Sequence, residues 1–333
     1  MYPRLLASGI AAFAFAAVAC TDLGSGDEQP LLAAPGLAEH ELALDDHDPS
    51  ACVTGGDPTA TTAAAACPPS QCDDNPASPI MVIGCDDREF IPNGTNSTTT
   101  SPWRHVGRLS NGCTGTLIGP KHVLTAAHCV EGYGPVAIGF SLAQTDMAIC
   151  PLGTRYVKKV YRPVAWDGND NQAEAALDYA VLELWSAFPG AVPMAFDYVT
   201  WADTSPRHSY SIGYPGILPQ YDSENPVSTG TGDFGPSPSR FLENGEKGTL
   251  EVDNDGEGGQ SGSPVYVFID NVRVVVGVLV GSPEAACLAG HLWAARLTPG
   301  AMEHIENAMA PNVLDFFWET ATLPYHGSIA GCP

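Results

Sequence analysis

From Ile80 onward the chain is a succession of short apolar runs broken by glycine and proline, and no other feature constrains its fold as much. Val106–Leu109, Thr116–Ile118, His122–Thr125, Val136–Phe140 and Tyr156–Tyr161 are too short for packed helices and rich in β-branched and aromatic residues. The same holds for Ala180–Leu184, Tyr210–Ile212, Thr249–Val252, Pro264–Ile269, Val272–Val280 and His291–Ala295. Runs of this length and composition read as strands. Many such strands at close spacing predict an all-β barrel or sandwich. One stretch departs from the pattern: Thr298-Pro299 followed by Ala301 to Met309 predicts a capped helix with proline at its first position.

Three segments within this pattern carry chemistry. They are Thr125-Ala126-Ala127-His128-Cys129, Asp178-Tyr179-Ala180-Val181-Leu182-Glu183-Leu184 and Gly258-Gly259-Gln260-Ser261-Gly262-Ser263-Pro264. A serine hydroxyl is a poor nucleophile at its free pKa, so a catalytic one needs a base, an orienting acid and donors for the oxyanion. Glycines before Ser261 let backbone N–H groups turn toward one point with no Cβ in the way. Alone, a Gly/Ser-rich turn before a strand is commonly just a turn, and a lone His or Asp is commonly structural. Taken together, the order His, Asp, Ser matches the triad of the chymotrypsin-like double barrel. It differs from the order Ser, acid, His of the α/β-hydrolases, whose G-x-S-x-G elbow also fails here because Ser263 stands where the last glycine belongs.

These segments resemble the chymotrypsin-fold serine proteases, and within them the bacterial glutamyl endopeptidase branch. Ser-Gly-Ser-Pro after Gln260 is that branch's form of the nucleophile segment. Val82-Ile83-Gly84-Cys85-Asp86-Asp87-Arg88, Cys113 to Lys121 and Gly213-Tyr214-Pro215-Gly216 resemble it too, and the similarity runs from about Ile80 to about Ala308. The resemblance implies two six-stranded antiparallel β-barrels with the active site in the cleft between them, and a closing C-terminal helix. It implies a serine endopeptidase with His128 as base, Asp178 as its orienting acid and Ser261 as nucleophile, the N–H groups of Gly259 and Ser261 forming the oxyanion hole. It also implies a disulfide between Cys113 and Cys129 that closes the histidine loop. Gln260 replaces the aspartate with which digestive-type relatives bind a freshly cut N-terminus, so the resemblance implies a zymogen activated by loss of a pro-segment ahead of Ile80 to Val82.

Substrate recognition falls on Asp255, Leu279, Val280 and His291. Asp255 lies six residues before Ser261, where an aspartate suggests Lys or Arg preference but also occurs within the glutamyl branch. That branch reads glutamate with a histidine at the place Leu279 holds here. A carboxylate brought to an apolar wall is desolvated without a partner, so either His291 in the next strand substitutes or the pocket takes an apolar or small side chain.

The remaining features set the context. Lys plus Arg number 14 against 38 Asp plus Glu, a formal charge of −24. Such a surface repels phosphate backbones, so nucleic acid is excluded as a partner. No His-Glu-x-x-His occurs, and no metal or cofactor is expected. Ten cysteines point to an oxidising compartment. Residues 1–19, with the apolar run Leu5 to Ala19, read as a signal peptide. Ala17-Val18-Ala19-Cys20 fits two readings, lipidation of Cys20 with membrane anchoring or an ordinary secretory cut. Residues 20–79, rich in Pro, Ala, Thr, Gly and acids, read as a cysteine-containing linker or pro-segment that cannot bury enough apolar surface to order itself. Residues 80–310 form the protease-like domain and 311–333 a C-terminal extension, with Cys332 suggesting that the tail is tied back. The expectation is a secreted or envelope-attached bacterial monomer acting on protein or peptide substrates. The alternative is a non-catalytic, protease-like binding protein.

Overall fold

The structure, a computed structural model, describes residues 72–73, 80–81, 89–90, 97–131, 137–145, 149–168, 172–204, 207–216, 227–232, 248–252, 254–281, 292–311, 318–325 and 328–329. All lie in the compact unit Leu44–Pro333. The expectations for the signal segment, Cys20, His291, Cys85, Cys287 and Cys332 fall outside the described residues.

Three short pieces come first: β1 (Cys72–Asp73), β2 (Ile80–Met81) and β3 (Glu89–Phe90). Six strands follow: β4 (Val106–Leu109), β5 (Thr114–Gly119), β6 (His122–Thr125), β7 (Gly139–Leu142), β8 (Thr154–Pro163) and β9 (Ala180–Leu184). They run in the order β8-β7-β4-β5-β6-β9, and β9 pairs back onto β8. This closes a six-stranded barrel and leaves it no free edge. The core packed on it includes Leu109, Leu117, Phe140, Leu142, Val157, Val181 and Leu184, all 0% exposed. Burying each large aliphatic side chain contributes about 1.5–3 kcal/mol.

The second half holds β10 (Ala195–Phe196), β11 (Ser209–Gly213), β12 (Val227–Gly232), β13 (Thr249–Val252), β14 (Gly256–Glu257), β15 (Pro264–Ile269), β16 (Val272–Gly281) and β17 (Leu292–Arg296). Its main sheet runs β13-β17-β16-β15-β11-β12-β3, with β10 parallel beside β16. The expected second six-stranded barrel is therefore an eight-stranded sheet, enlarged by β3 and β10, in which no pairing among the described residues joins β13 to β3. Its separate core includes Leu250, Val252, Val265, Val267, Val276, Leu279 and Leu292. The fold is all-β and chymotrypsin-like.

The helix Pro299–Met309 forms as its sequence predicts. Thr298 caps it, its Oγ1 accepting from Ala301 N at 3.2 Å, and Pro299 needs no hydrogen bond at the first position. Ala301, Ile305 and Ala308 make up its buried stripe. Beyond it, β18 (Trp318–Thr322) and β19 (Ser328–Ile329) pair with β8, so strand pairing ties the tail to the first barrel.

Candidate active site

The register of β6 against β9 sets Thr125 opposite Ala180. The two strand ends thus carry His128, three residues past Thr125, and Asp178, two residues before Ala180, to one place. Ala126 and Ala127 are 0% exposed and anchor the chain before His128 opens a 3-10 turn. Asp178, 8% exposed, spends both oxygens on that histidine: Oδ1 accepts from His128 N at 2.9 Å, and Oδ2 meets Nδ1 at 2.6 Å. A carboxylate oxygen accepts, so the bond to Asp178 places the proton on Nδ1. Behind Asp178, Tyr179 is buried, and its hydroxyl bonds His304 Nδ1 at 2.7 Å. Burial holds the Tyr179 phenol well above its usual pKa, so it stays neutral.

The nucleophile segment is a tight turn between β14 and β15. Gly259 and Gly262 have φ of +95° and +87°. A Cβ on Gly262 would stand 2.1 Å from Thr114 O, and one on Gly259 2.6 Å from Tyr214 O. Both positions thus need glycine on conformational and steric grounds. The turn is pinned from the first barrel by Thr114, which is 0% exposed. Thr114 N donates to Ser261 O at 2.9 Å and Thr114 Oγ1 donates to Gly259 O at 3.0 Å, while accepting from Tyr214 N at 2.9 Å. With both carbonyls tied inward, the N–H groups of Gly259 and Ser261 have no hydrogen-bond partner among the described residues.

Cys113 and Cys129 are joined by a disulfide, with Cα atoms 6.1 Å apart and a sequence separation of 16. In the chain-entropy view a loop of this size is worth about 3 kcal/mol. Cys129 Sγ lies 3.7 Å from both His128 Nε2 and Ser261 O, so the base and the nucleophile's own carbonyl are no farther apart than twice that distance. The Ser261 hydroxyl itself makes no hydrogen bond among the described residues.

A trypsin-like peptidase domain model matches residues 113–278, the span that holds His128, Asp178 and Ser261. Residues 113–278 thus carry a trypsin-like peptidase domain on a chymotrypsin-like fold. The chain is 31% identical over 204 residues to a glutamyl endopeptidase of Bacillus licheniformis, covering 57% of this chain and 56% of that one. It is 34% identical over 124 residues to serine protease 23 of Bos taurus, covering 31% and 33%. The chain thus spans about half the length, or less, of these curated relatives. A solved structure of a Glu endopeptidase in complex with MPD superposes with TM-score 0.54 at 20% identity, covering 68% of this chain and 99% of that one, a likeness of fold.

The expected substrate-binding residues Asp255, Leu279 and Val280 are all buried, at 2%, 3% and 8% exposed, and His291 lies outside the described residues. The Leu279 side chain packs into the second core instead of lining open space, while its backbone brackets the nucleophile: Gly262 N donates to Leu279 O at 2.7 Å and Leu279 N to Ser263 O at 2.9 Å. Cys113, His128 and Cys129 bring ligand-type atoms within 4.8 Å of one another. The disulfide consumes both sulfurs, so no thiolate remains to hold a metal there. Thr114 is the residue that sequence reasoning missed. It lies inside the Cys113 to Lys121 segment, but a threonine beside a cysteine announces nothing about partners 145 and 147 positions downstream.

Proposed function

We propose that this protein is a serine endopeptidase working outside the cytoplasm, with Ser261 as nucleophile, His128 as general base and acid, and Asp178 as the group that orients the imidazole. The observation that carries the reading is the serine turn: Thr114 bonds the carbonyls of Gly259 and Ser261, both N–H groups have no partner among the described residues, and His128 is gripped by both oxygens of Asp178. Ser261 Oγ attacks the scissile carbonyl carbon as its proton passes to His128 Nε2. The Nδ1–H bond to Asp178 stabilises the imidazolium, and the two N–H groups donate to the oxyanion, each donor worth about 3–4 kcal/mol of barrier. The C–N bond then breaks, with His128 protonating the amine. Water, activated by the same imidazole, hydrolyses the acyl ester. Two features support an extracytoplasmic setting: the Cys113–Cys129 bond and the disulfide that also engages Cys150. Leu279 offers a substrate carboxylate no partner, which weighs against a glutamate preference set at that position.

The second reading, a non-catalytic binding protein, draws on the Ser261 hydroxyl lacking a bond to His128. Catalytic hydrogen bonds in unliganded sites are often long and tighten with substrate, so this separation is compatible with both readings. Labelling with a fluorophosphonate probe divides them. The wild type is expected to label and to hydrolyse casein, and Ser261→Ala to do neither. A wild type that stays unlabelled, or an Ser261→Ala protein that labels equally, would establish the second reading.

A further inference from the structure

The helix Pro299–Met309 buries Ala301, Ile305 and Ala308, spaced as one helical stripe. His304, three positions past Ala301 and four before Ala308, falls on the same face, which turns an imidazole toward the first barrel. A polar ring on such a face needs a partner. It meets the hydroxyl of Tyr179, 2.7 Å from its Nδ1, and Tyr179 is the residue that follows Asp178.

The polarity of this bond follows from burial. Tyr179 is 1% exposed, and His304 Nδ1 is the one hydrogen-bond partner of its hydroxyl among the described residues. Were Nδ1 to carry a hydrogen, the phenolic hydrogen would be buried unpaired, so the hydroxyl donates and Nδ1 accepts. Burial keeps the His304 imidazole below its usual pKa against the opposing charge of Glu303, which preserves the acceptor. Trp318 walls the pair. Its ring, 3% exposed, stands edge-on to Tyr179 at 6.2 Å and to His304 at 5.7 Å. Since β18 carries Trp318 and pairs with β8, helix, tail and barrel converge on one phenol.

Asp178 is the middle residue of a three-residue turn, closed by Tyr179 N donating to Leu177 O at 2.8 Å, and the pairing of β9 begins only at Ala180. From this turn the carboxylate reaches both N and Nδ1 of His128. A turn so short passes a shift of the Tyr179 side chain directly to its neighbour. We propose that His304 is a positioning residue for the Asp178–His128 pair: through the Tyr179 hydroxyl it holds the turn from which the carboxylate grips the imidazole. The role is indirect, acting through Tyr179 and then Asp178. Its kinetic consequence rests on the catalytic reading above, whereas its effect on the Asp178–His128 bond does not.

The test uses the full chain with nitrogen-15-labelled histidine. The NMR shifts of His128 Nδ1 and its proton report the bond to Asp178, and steady-state kinetics run in parallel. Tyr179→Phe removes one hydroxyl and keeps the ring, and His304→Leu leaves that hydroxyl without its acceptor. Both are expected to move the His128 Nδ1 signals and to lower kcat roughly tenfold, with KM changed less than about twofold. His304→Asn, whose Oδ1 offers an acceptor in place of Nδ1, should recover most of both effects. The double variant Tyr179→Phe/His304→Leu should lose no more than the worse single one, because the same bond is removed once. The Tm of each variant reports its folding, a quantity that a merely structural bond would also change. His128 signals that stay in place in Tyr179→Phe and His304→Leu would overturn the assignment and leave the bond as an anchor for the helix. If those signals move while the wild type neither labels with fluorophosphonate nor hydrolyses casein, the positioning role stands and the catalytic reading falls.

Discussion

The two halves that meet at Ser261 are built on different principles. The first barrel closes on itself through the β8–β9 pairing and brings His128 and Asp178 together by strand register alone. The second sheet ends at β13 and β3 with no closing pair among the described residues. The serine turn it carries is held in part from across the cleft, by Thr114 of the first barrel. The first barrel therefore acts as the template, carrying His128, Asp178 and the Thr114 clamp on the serine turn, the groups to which the proposed function gives the roles of base, acid and oxyanion-site support. The second sheet carries Ser261 and two backbone bonds at Leu279 that keep the turn against β16.

If the template view is right, the largest effect comes from its own acid. Asp178→Asn keeps the shape but offers one acceptor where two are used. Either His128 N or His128 Nδ1 loses its partner, and the imidazole is free to take the wrong tautomer. We expect kcat to fall about 10⁴-fold, with KM little changed and the circular dichroism spectrum preserved. A loss smaller than tenfold would mean that the aspartate only supports the loop.

Thr114→Val tests the clamp across the cleft. The change conserves volume but removes the hydroxyl, leaving Gly259 O and Tyr214 N without their bonds. Unmade buried bonds cost about 1–3 kcal/mol, so kcat should drop by roughly 10- to 100-fold while KM moves little. Thr114→Ser, which keeps the hydroxyl, should recover most of the loss. A Thr114→Val enzyme with wild-type kcat would show that the second sheet holds its own turn, and the asymmetry between the halves would disappear.

The same contrast explains what could be read from the sequence. Strands β4, β6, β9, β13 and β15 match the apolar runs residue for residue, because short alternating segments bounded by Gly and Pro have few other ways to bury themselves. The helix was legible from Thr298-Pro299. Residue order alone brought His128, Asp178 and Ser261 under suspicion. Leu279 was harder: β16 is buried on both faces from Val274 to Val280, and its register slips between Leu279 and Gly281. Alternation cannot separate pocket wall from core in such a strand, and a bulge breaks the parity count as well. The bonds of Thr114 depend on residues from separate strands becoming neighbours, and local pattern carries no record of that.

The smallest effect expected is on stability against pH, and it separates the halves a third way. His105, His122 and His304 all have imidazole pKa values below 6.5, burial being the first cause in each. His105 Nδ1 meets Val192 O at 2.7 Å just ahead of β4, His122 opens β6, and His304 meets Tyr179 at the head of β9. In each case the unfolded chain binds a proton at a higher pH than the folded one. Stability is therefore full above the unfolded value of about 6.5, falls as pH drops through it, and levels off below the lower folded values. Glu183 works in a separate window. Burial pushes its carboxyl up, but the bonds from Lys158 and Lys121 outweigh that and leave it below 4.5, so its contribution is lost only as pH falls through that lower folded value. Between about pH 7.5 and 5.5 the histidines should thus lower Tm by a few degrees. Amide exchange should locate the loosening in β4 to β9 more than in β11 to β17. Protection lost first from the second sheet would mean that acid weakens the molecule elsewhere, and that the closed barrel is not where these three protons are felt.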